Sequence, residues 1–253
     1  MIEQKKISVI IPFYKEFDLL PRALNSVFCQ ALPQNWILEV VIGNDSDYEN
    51  WEVEERLGLK NLKIKFAKNQ ESHGAGNARN AALKAATGDY YAFLDADDYW
   101  TADKLISQCR SLDCGATFVA TAYKFEGQSF DVTPPCRVNG IVDMLIGSIG
   151  TSTIVVAKKL MHENFFSDRK FSQDTELWAK LCGSSSFSYS AIMAVGAIYC
   201  PSDRTSNKFK QLQYFSVLLS DLKLNIIAII YILFRYIMRG AGNYFFKKLI
   251  YSR

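Results

Sequence analysis

Histidine is scarce in this chain of 253 residues, which contains only His73 and His162. Two histidines cannot supply a His-rich metal centre. The six cysteines form no C-x-x-C pair, which argues against zinc-ribbon and thioredoxin-like sites and favours buried thiols in a reducing compartment. No run of eighteen apolar residues occurs, and the mean hydropathy is −0.02. The sequence therefore excludes a polytopic membrane protein.

Two phosphate-binding patterns are also missing. The sequence has neither G-x-x-x-x-G-K-[ST] nor a G-x-G-x-x-G after its first apolar run, which argues against P-loop and dinucleotide-binding proteins. The apolar stretch near the N-terminus is too short for the core of a signal peptide, so we expect a cytoplasmic protein. Because 49% of the residues are hydrophobic, the chain can form a large core.

The charge is unevenly distributed along the chain. Residues 215–253 carry six basic residues and one acidic residue, a net charge of +5, so residues 1–214 carry −2 of the total of +3. A nucleic-acid-binding protein usually carries its basic residues on a folded face. Here they accompany an apolar segment, which favours anionic lipid and argues against a nucleic-acid partner. We therefore divide the chain into a folded domain at 1–214 and a basic tail at 215–253.

The tail contains a segment with the pattern of an amphipathic helix. Its uninterrupted apolar core, residues 226–234, would span about 14 Å, whereas a bilayer core is about 30 Å thick. The apolar face would be formed by Leu219, Leu222, Ile226, Ile230, Leu233 and Ile237. This pattern favours peripheral attachment to the inner face of the cytoplasmic membrane. The alternatives are a helix packed on the domain and, less favoured, a short tilted span.

Strand and helix patterns alternate through the first half of the chain. Short apolar runs predict buried strands, and stretches with apolar residues at helical spacing lie between them. The predicted strands are 7–11, 40–42, 64–66, 90–94, 118–123, 151–157 and 194–199, and the predicted helices are 19–28, 77–86, 101–112 and 174–181. This order indicates an α/β fold with a mainly parallel sheet flanked by helices.

Acidic side chains follow three of these strands. Glu16 follows the first strand, Asp45 the second, and Asp95 and Asp97 the fourth. Ligands of open α/β sheets bind at the carboxyl ends of the strands, where these carboxylates would converge. Converging carboxylates repel one another unless a cation lies between them, and Mg²⁺ is often held by one or two carboxylates together with substrate phosphates. We expect a metal–diphosphate site; a solvated acidic turn is the alternative.

Several motifs, taken in this order, resemble those of the family-2 glycosyltransferases, which have the Rossmann-like GT-A fold. They are ISVIIPFYKE at 7–16, LNSVFCQ at 24–30, EVVIGNDS at 39–46, GAGNARN at 74–80, ATGDYYAFLDADD at 86–98 and QDTELW at 173–178. The resemblance covers about residues 7–181 and is to bacterial enzymes of surface-polysaccharide assembly. It implies a GT-A sheet in the folded domain and an enzyme that uses nucleotide sugars.

The resemblance also implies which residues bind the donor. Pro12, Tyr14 and Glu16 would border the nucleoside, and Asp45 would bind its base. Arg79 would lie beside the diphosphate. An ion pair with one of the neighbouring aspartates is a second possibility for this arginine, and both roles are compatible.

Metal binding and catalysis are implied in the same way. Asp95 and Ala96 would lie on the ribose side of the donor, and Asp97, together with Asp95, would bind Mg²⁺ or Mn²⁺. Asp174 would be the general base that takes the proton of the acceptor hydroxyl. The alternative for Asp174 is an N-cap of the helix that follows it.

The implied reaction is inverting transfer of a sugar from a nucleotide sugar, in the first place a UDP-sugar, to an acceptor hydroxyl. The implied acceptor is a lipid-linked saccharide in polysaccharide or O-antigen assembly, which suits an enzyme held at the membrane. Thr151 and Ser152 lie in the irregular region where we expect the acceptor to bind.

The sequence departs from the family pattern in two places. Gln173 stands where the family often has an acidic residue, and Tyr199-Cys200 replaces a segment that usually contains Arg and His. These departures keep a second hypothesis open, a membrane-bound scaffold that binds nucleotide sugars without turnover. Nucleotidyl transfer is a third and weaker hypothesis, because no basic phosphate-binding loop is evident.

Overall fold

A mixed β-sheet organises the part of the chain that the computed structural model describes, namely residues 3–59, 62–162, 164–200, 219, 221, 222 and 224–234. Its strands are β1 (Lys5–Phe13), β2 (Trp36–Asn44), β3 (Ile64–Lys68), β4 (Tyr90–Phe93), β5 (Tyr99–Trp100), β6 (Phe118–Phe125), β7 (Ile154–Ala157) and β8 (Tyr189–Tyr199). Their order across the sheet is β3-β2-β1-β4-β7-β6-β8-β5.

Helices cover both faces of this sheet. They are α1 (Leu20–Phe28), α2 (Asn50–Arg56), α3 (Ala75–Ala85), α4 (Lys104–Asp113), α5 (Ile141–Ile146), α6 (Lys158–Met161) and α7 (Gln173–Cys182). One apolar core joins α1 and α4 to the sheet, and a second core joins α3 and α7 to it. The predicted α/β class is therefore confirmed.

The first half of the sheet is parallel. β1 pairs in parallel with β2 and β4, and β2 pairs in parallel with β3. β1 is buried from Ile7 to Phe13, which explains its unbroken apolar sequence. β7 is antiparallel to β4 and β6, and β5 is antiparallel to β8, whereas β6 and β8 are parallel. The sheet is thus mixed but mostly parallel, and the loops after β1, β2 and β4 meet at one edge.

Two contacts fix α3 beside this edge. A Cβ atom built on Gly43 of β2 would lie only 1.9 Å from the carbonyl oxygen of Ala78, so the close approach of α3 requires glycine there. Farther along α3, Nδ2 of Asn80 donates to the carbonyl oxygen of Phe166 over 2.8 Å, and its Oδ1 accepts from the N–H of Phe166 over 2.9 Å. These bonds join α3 to the segment that leads into α7.

Some predicted elements differ from the observed ones. α4 begins at Lys104 rather than at residue 101, because the hydroxyl of Thr101 donates to the carbonyl oxygen of Val195 and caps no helix. The predicted strand 151–157 divides into a 3-10 turn (Thr151–Thr153) and β7, since the N–H and hydroxyl of Thr153 both bond to the carbonyl oxygen of Gly150. The helices α2, α5 and α6 are not predicted by the sequence patterns.

Residues 226–234 form a helix, here called the C-terminal helix. Ile229, Ile232 and Leu233 pack against a cluster that includes residues of α5 and α7. The alternative of a helix packed on the domain is therefore correct for this segment, although Ile226 and Ile230 remain exposed. The rest of the predicted tail helix lies outside the described residues.

Among the residues that the structure describes, no helix has both the length and the apolar character needed to cross a membrane.

Candidate active site

The loop after β1 is folded around Glu16. One oxygen of its carboxylate, Oε2, accepts hydrogen bonds from the N–H groups of Tyr14, over 2.8 Å, and of Lys15, over 3.0 Å. Pro12 is buried in the last part of β1. The ring centroids of Tyr14 and His73 are 6.0 Å apart. The loop therefore holds the half-buried Tyr14 ring at the carboxyl end of the sheet.

Asp45, directly after β2, is buried, and several donors hold its carboxylate. Oδ2 accepts from the N–H of Gly74 over 2.9 Å, and Oδ1 accepts from Nδ2 of Asn69 over 2.6 Å. Nδ1 of His73 lies 3.3 Å from Oδ1. Asn69 and His73 were not identified from the sequence; the polar run after β3 is the signal that could have found them. The carboxylate of Asp45 is thus held beside the start of α3.

Arg79 and Asp95 form an ion pair, one of the two roles considered for this arginine. Nη2 of Arg79 donates to Oδ1 of Asp95, and the guanidinium lies 5.3 Å from the ring centroid of Phe166. Burial alone would lower the pKa of Arg79, but the carboxylate of Asp95 outweighs it and raises the pKa, with a further contribution from Asp174. Nε and Nη1 of Arg79 have no hydrogen-bond partner within the described ranges. Arg79 therefore remains charged beside the acidic loop.

Ser152, in the 3-10 turn, connects the acidic loop to the strands around it. Its Oγ accepts from the N–H of Asp95 over 3.2 Å and donates to Oδ2 of Asp98 over 2.7 Å. Its N–H donates to the hydroxyl oxygen of Tyr199 over 3.0 Å, and its carbonyl oxygen accepts from Nε1 of Trp100 over 2.8 Å. Burial raises the pKa of Asp98 to about 8, and the charge of Asp95 adds to this shift. Ser152 therefore positions the backbone that carries Asp95.

The other two predicted residues of the acidic loop differ in exposure. Ala96 is buried, whereas Asp97 is half-buried. The carbonyl oxygen of Asp97 accepts from Nη2 of Arg22 over 3.3 Å, and Nη1 of Arg22 lies 3.1 Å from a carboxylate oxygen of Glu126. The loop is therefore anchored to α1 on this side, with Asp97 at its partly exposed surface.

Asp174 lies in the first turn of α7, and its carboxylate also bonds to the 3-10 turn. Oδ2 accepts from the hydroxyl of Thr151 over 2.8 Å, and Oδ1 accepts from the N–H of Thr175 over 2.7 Å. Ser172 occupies the N-cap position, in the left-handed region with φ of 60°. Asp174 is therefore not the N-cap residue, which was the alternative considered from the sequence.

These contacts gather the residues predicted from the sequence at one edge of the sheet. Thr151 binds Asp174 and its neighbour Ser152 binds the backbone of Asp95, so both aspartates lie against the same short turn. Asp45 bonds to the beginning of α3, and Arg79 projects from the same helix towards Asp95. Sequence reasoning had noted Ser152 only as part of a region for the acceptor and had not given it this connecting position.

The residues at the two departures from the family pattern, Gln173 and Tyr199-Cys200, both contact other parts of the site. A Cβ atom on Gly76 would lie 3.4 Å from Cγ of Gln173, so this side chain packs against the start of α3. Burial raises the pKa of Tyr199 well above its usual value, and the charges of Asp98 and Asp95 add to the shift. The N–H of Cys200 donates to Oδ1 of Asp98 over 3.1 Å. Tyr199 and Cys200 thus support the acidic loop.

The acidic loop fits a divalent cation that is bound together with a diphosphate. Asp95 and Asp97 offer hard oxygen ligands, and one or two carboxylates are the usual protein contribution when phosphates complete the coordination. The charged Arg79, whose Nε and Nη1 have no hydrogen-bond partner among the described residues, pairs with Asp95. Among the residues that the structure describes, no group of three or more His, Cys, Asp or Glu side chains is arranged to hold a metal ion.

Two solved structures share this architecture. S. aureus TarS 1–349 in complex with UDP superposes with a TM-score of 0.61 at 23% identity, over 90% of this chain and 69% of that 1–349 chain. The mannosyltransferase PcManGT from Pyrobaculum calidifontis, in complex with GDP-Man and Mn²⁺, has a TM-score of 0.66 at 17% identity, over 93% of this chain and 70% of that chain. The expected GT-A fold of glycosyltransferases is thereby confirmed.

Sequence comparison identifies the family. The model described as "Glycosyl transferase family 2" matches residues 8–196. The Escherichia coli protein UDP-Glc:alpha-D-GlcNAc-diphosphoundecaprenol beta-1,3-glucosyltransferase WfgD is 30% identical over 246 residues, which are 95% of this chain and 95% of WfgD. The chain belongs to glycosyltransferase family 2, as its motifs predicted.

Proposed function

We propose that the protein is an inverting glycosyltransferase that transfers a sugar from a UDP-sugar to a hydroxyl of a lipid-linked saccharide at the inner face of the cytoplasmic membrane. One observation carries the proposal. The 3-10 turn bonds to Asp174 through Thr151 and to the backbone of Asp95 through Ser152. A candidate general base and a candidate diphosphate-binding loop are thereby held by two consecutive residues.

In this proposal the donor lies across the carboxyl ends of β1, β2 and β4. Asp45 accepts a hydrogen bond from the base, since each oxygen of an ionised carboxylate has more than one acceptor site. The loop of Pro12, Tyr14 and Glu16 borders the nucleoside. Arg79 attracts the diphosphate, because a buried and charged guanidinium stabilises nearby phosphate oxygens.

Asp174 acts as the general base. It takes the proton of the acceptor hydroxyl while the hydroxyl oxygen forms a bond to the anomeric carbon, and the bond from that carbon to the diphosphate oxygen breaks. A single displacement of this kind inverts the anomeric centre. The hydrogen bond from Thr151 orients the carboxylate towards the reacting hydroxyl.

Asp95 and Asp97, on either side of Ala96 in the sequence, would hold Mg²⁺ or Mn²⁺. The cation, when bound, stabilises the negative charge that develops on the departing diphosphate. The Mn²⁺ and GDP-Man of the PcManGT complex support a metal-dependent reaction on this fold.

The relatives support the choice of donor and acceptor. The name of WfgD specifies UDP-glucose and an N-acetylglucosamine diphosphoundecaprenol, which is a lipid-linked sugar. The match to WfgD extends over nearly the whole of both chains, and TarS was solved with UDP. A lipid-linked acceptor resides in a membrane, so we place the enzyme peripherally at the cytoplasmic face.

The test is transfer from a panel of UDP-sugars to a lipid-linked N-acetylglucosamine in the presence of Mn²⁺. We expect Asp174→Asn and Asp97→Ala each to lower kcat by about a hundredfold or more, because general-base and metal contributions are of that order. Asp103→Asn, which alters an exposed aspartate at the N-terminus of α4, is the matched control and should retain full activity.

Full activity in both site variants would refute the assignment. If the unaltered protein binds UDP but transfers no sugar across the panel, the scaffold hypothesis suggested by Gln173 replaces it.

A further inference from the structure

The C-terminal helix presents an exposed apolar face that the proposed catalytic site does not use. Its members are Ile226, Ile227, Ile230, Tyr231 and Phe234. The last four follow Ile226 by one, four, five and eight residues. At helical periodicity this spacing places all five along one side of the helix. Ile227 and Ile230, at 76% and 60% exposure, lie mostly in solvent and can be altered without opening the core.

We infer that this face is a docking surface for an anionic lipid bilayer, inserted at the level of the headgroups. The sequence after the helix contributes Arg235, Arg239, Lys247, Lys248 and Arg253 and no acidic residue, so it complements negatively charged lipid. Helices that lie in the membrane interface combine an exposed apolar face with basic residues in this way.

A second copy of the chain fits this face less well. The helix of nine residues is about 14 Å long and about 10 Å wide, so the face offers on the order of 140 Å². A stable protein–protein interface needs about 800 Å² from each partner. A bilayer has no such requirement, because it is continuous and accepts an apolar face of any length.

The opposite side of the helix connects this surface to the proposed catalytic helix. Ile232 packs in the same cluster as Ala179 of α7. Arg169 adds a polar bridge, since its Nη2 donates to Asp221 and its Nε donates to Glu176 of α7 over 2.9 Å. Asp174 lies five residues before Ala179, about 8 Å along the helix axis. A docked C-terminal helix would therefore hold Asp174 close to acceptors in the membrane, a consequence that rests on the proposed function.

Co-sedimentation of the full chain with vesicles tests the docking surface. We expect binding to vesicles of phosphatidylglycerol and phosphatidylcholine in equal parts and weak binding to phosphatidylcholine alone. The double variant Ile227→Asp/Ile230→Asp should bind the anionic vesicles at least tenfold more weakly, because two exposed apolar side chains are lost from the interface. Ile227→Gln/Ile230→Gln checks that the loss does not depend on added negative charge. The control Trp51→Asp, an exposed apolar residue of α2, should bind like the unaltered protein.

Activity measurements then separate docking from catalysis. The double variants should transfer sugar at the normal rate to a water-soluble, short-chain acceptor and at least tenfold more slowly to an undecaprenyl-linked acceptor in vesicles. Equal vesicle binding by the unaltered protein and both double variants would overturn the docking inference. So would a dimer that the double variants abolish in the absence of any vesicle binding. If no protein transfers sugar to either acceptor, the proposed function fails, while the sedimentation result still decides the docking surface.

Discussion

Ser152 shows how much of this site depends on a residue that the sequence placed only in the region expected to bind the acceptor. Its side chain and backbone bond to Asp95, Asp98, Trp100 and Tyr199, which come from two separate parts of the chain. Short runs of Thr and Ser also occur in ordinary strands, so the sequence alone predicts a strand there. Only the folded chain shows that the run is a turn beneath the acidic loop.

Removing the hydroxyl of Ser152 should therefore impair the site more than the core. In Ser152→Ala, the buried Asp98 loses a donor and the N–H of Asp95 loses an acceptor. We expect the free energy of unfolding to fall by about 1–3 kcal/mol and kcat/KM to fall by about tenfold to a hundredfold. Denaturant titration and steady-state kinetics measure the two effects. Ser186→Ala, in the exposed turn before β8, should change neither; equal behaviour of the two variants would contradict the positioning role.

At the scale of elements, the sequence predicted the parts of the fold that are specified locally. Buried parallel strands such as β1 have unbroken apolar sequences, and the loops that carry the carboxylates after β1, β2 and β4 lie at one edge of the sheet, as the α/β rule requires. The helix α2 was missed because seven residues give too few turns for a periodic pattern. The partners of Asp45, from the polar run after β3, were missed because nothing local relates them to β2.

The contact between β2 and α3 gives a sharp prediction. Gly43→Ala should lower the free energy of unfolding by about 3 kcal/mol or more, since the new methyl group would meet the carbonyl oxygen of Ala78 and the backbone of α3 would have to move. Donor binding should weaken as well, because α3 carries Arg79. Gly140→Ala is the matched control, because a Cβ there meets no atom within 4 Å. Chemical denaturation that gave equal stabilities for the two variants would contradict the prediction.

At the scale of the whole molecule, the strand pairings between segments far apart in the sequence were the part of the fold that could not be predicted. The parallel half of the sheet followed from alternating strands and helices. The antiparallel placement of β7 between β4 and β6 brings together segments more than thirty residues apart, and no local pattern encodes it. For the C-terminal helix, the amphipathic pattern was compatible with packing on the domain and with membrane contact, and the structure shows that one side packs while the other stays exposed.

Glu39 connects several elements of the sheet, and its protonation should lower the free energy of unfolding at acidic pH. Its carboxylate accepts from Ser8 of β1, from Lys65 of β3 and from the N–H and hydroxyl of Thr87. Burial alone would raise the pKa of Glu39, but these donors outweigh it and lower the pKa to about 2 from 4.5. The folded state therefore favours the ionised form, and the resulting stability is present above pH 4.5 and lost as the pH falls towards 2.

We expect Glu39→Gln to be less stable than the unaltered protein by about 2 kcal/mol at pH 7, and the difference to shrink as the pH approaches 2. Urea denaturation over this pH range measures it. Glu71→Gln removes an exposed ion pair to Lys84 and should have little effect at any pH. A difference between Glu39→Gln and the unaltered protein that stayed constant with pH would exclude the ionised carboxylate as its cause.

The paired bonds of Asn80 restrict how this enzyme can be engineered. The side chain uses its amide nitrogen and its amide oxygen on the same backbone residue, Phe166. Aspartate would keep the oxygen and lose the nitrogen, and leucine would lose both, so no exchange with a residue of similar size preserves the pair. A mutant library that randomises the loop after β1 should therefore leave position 80 untouched.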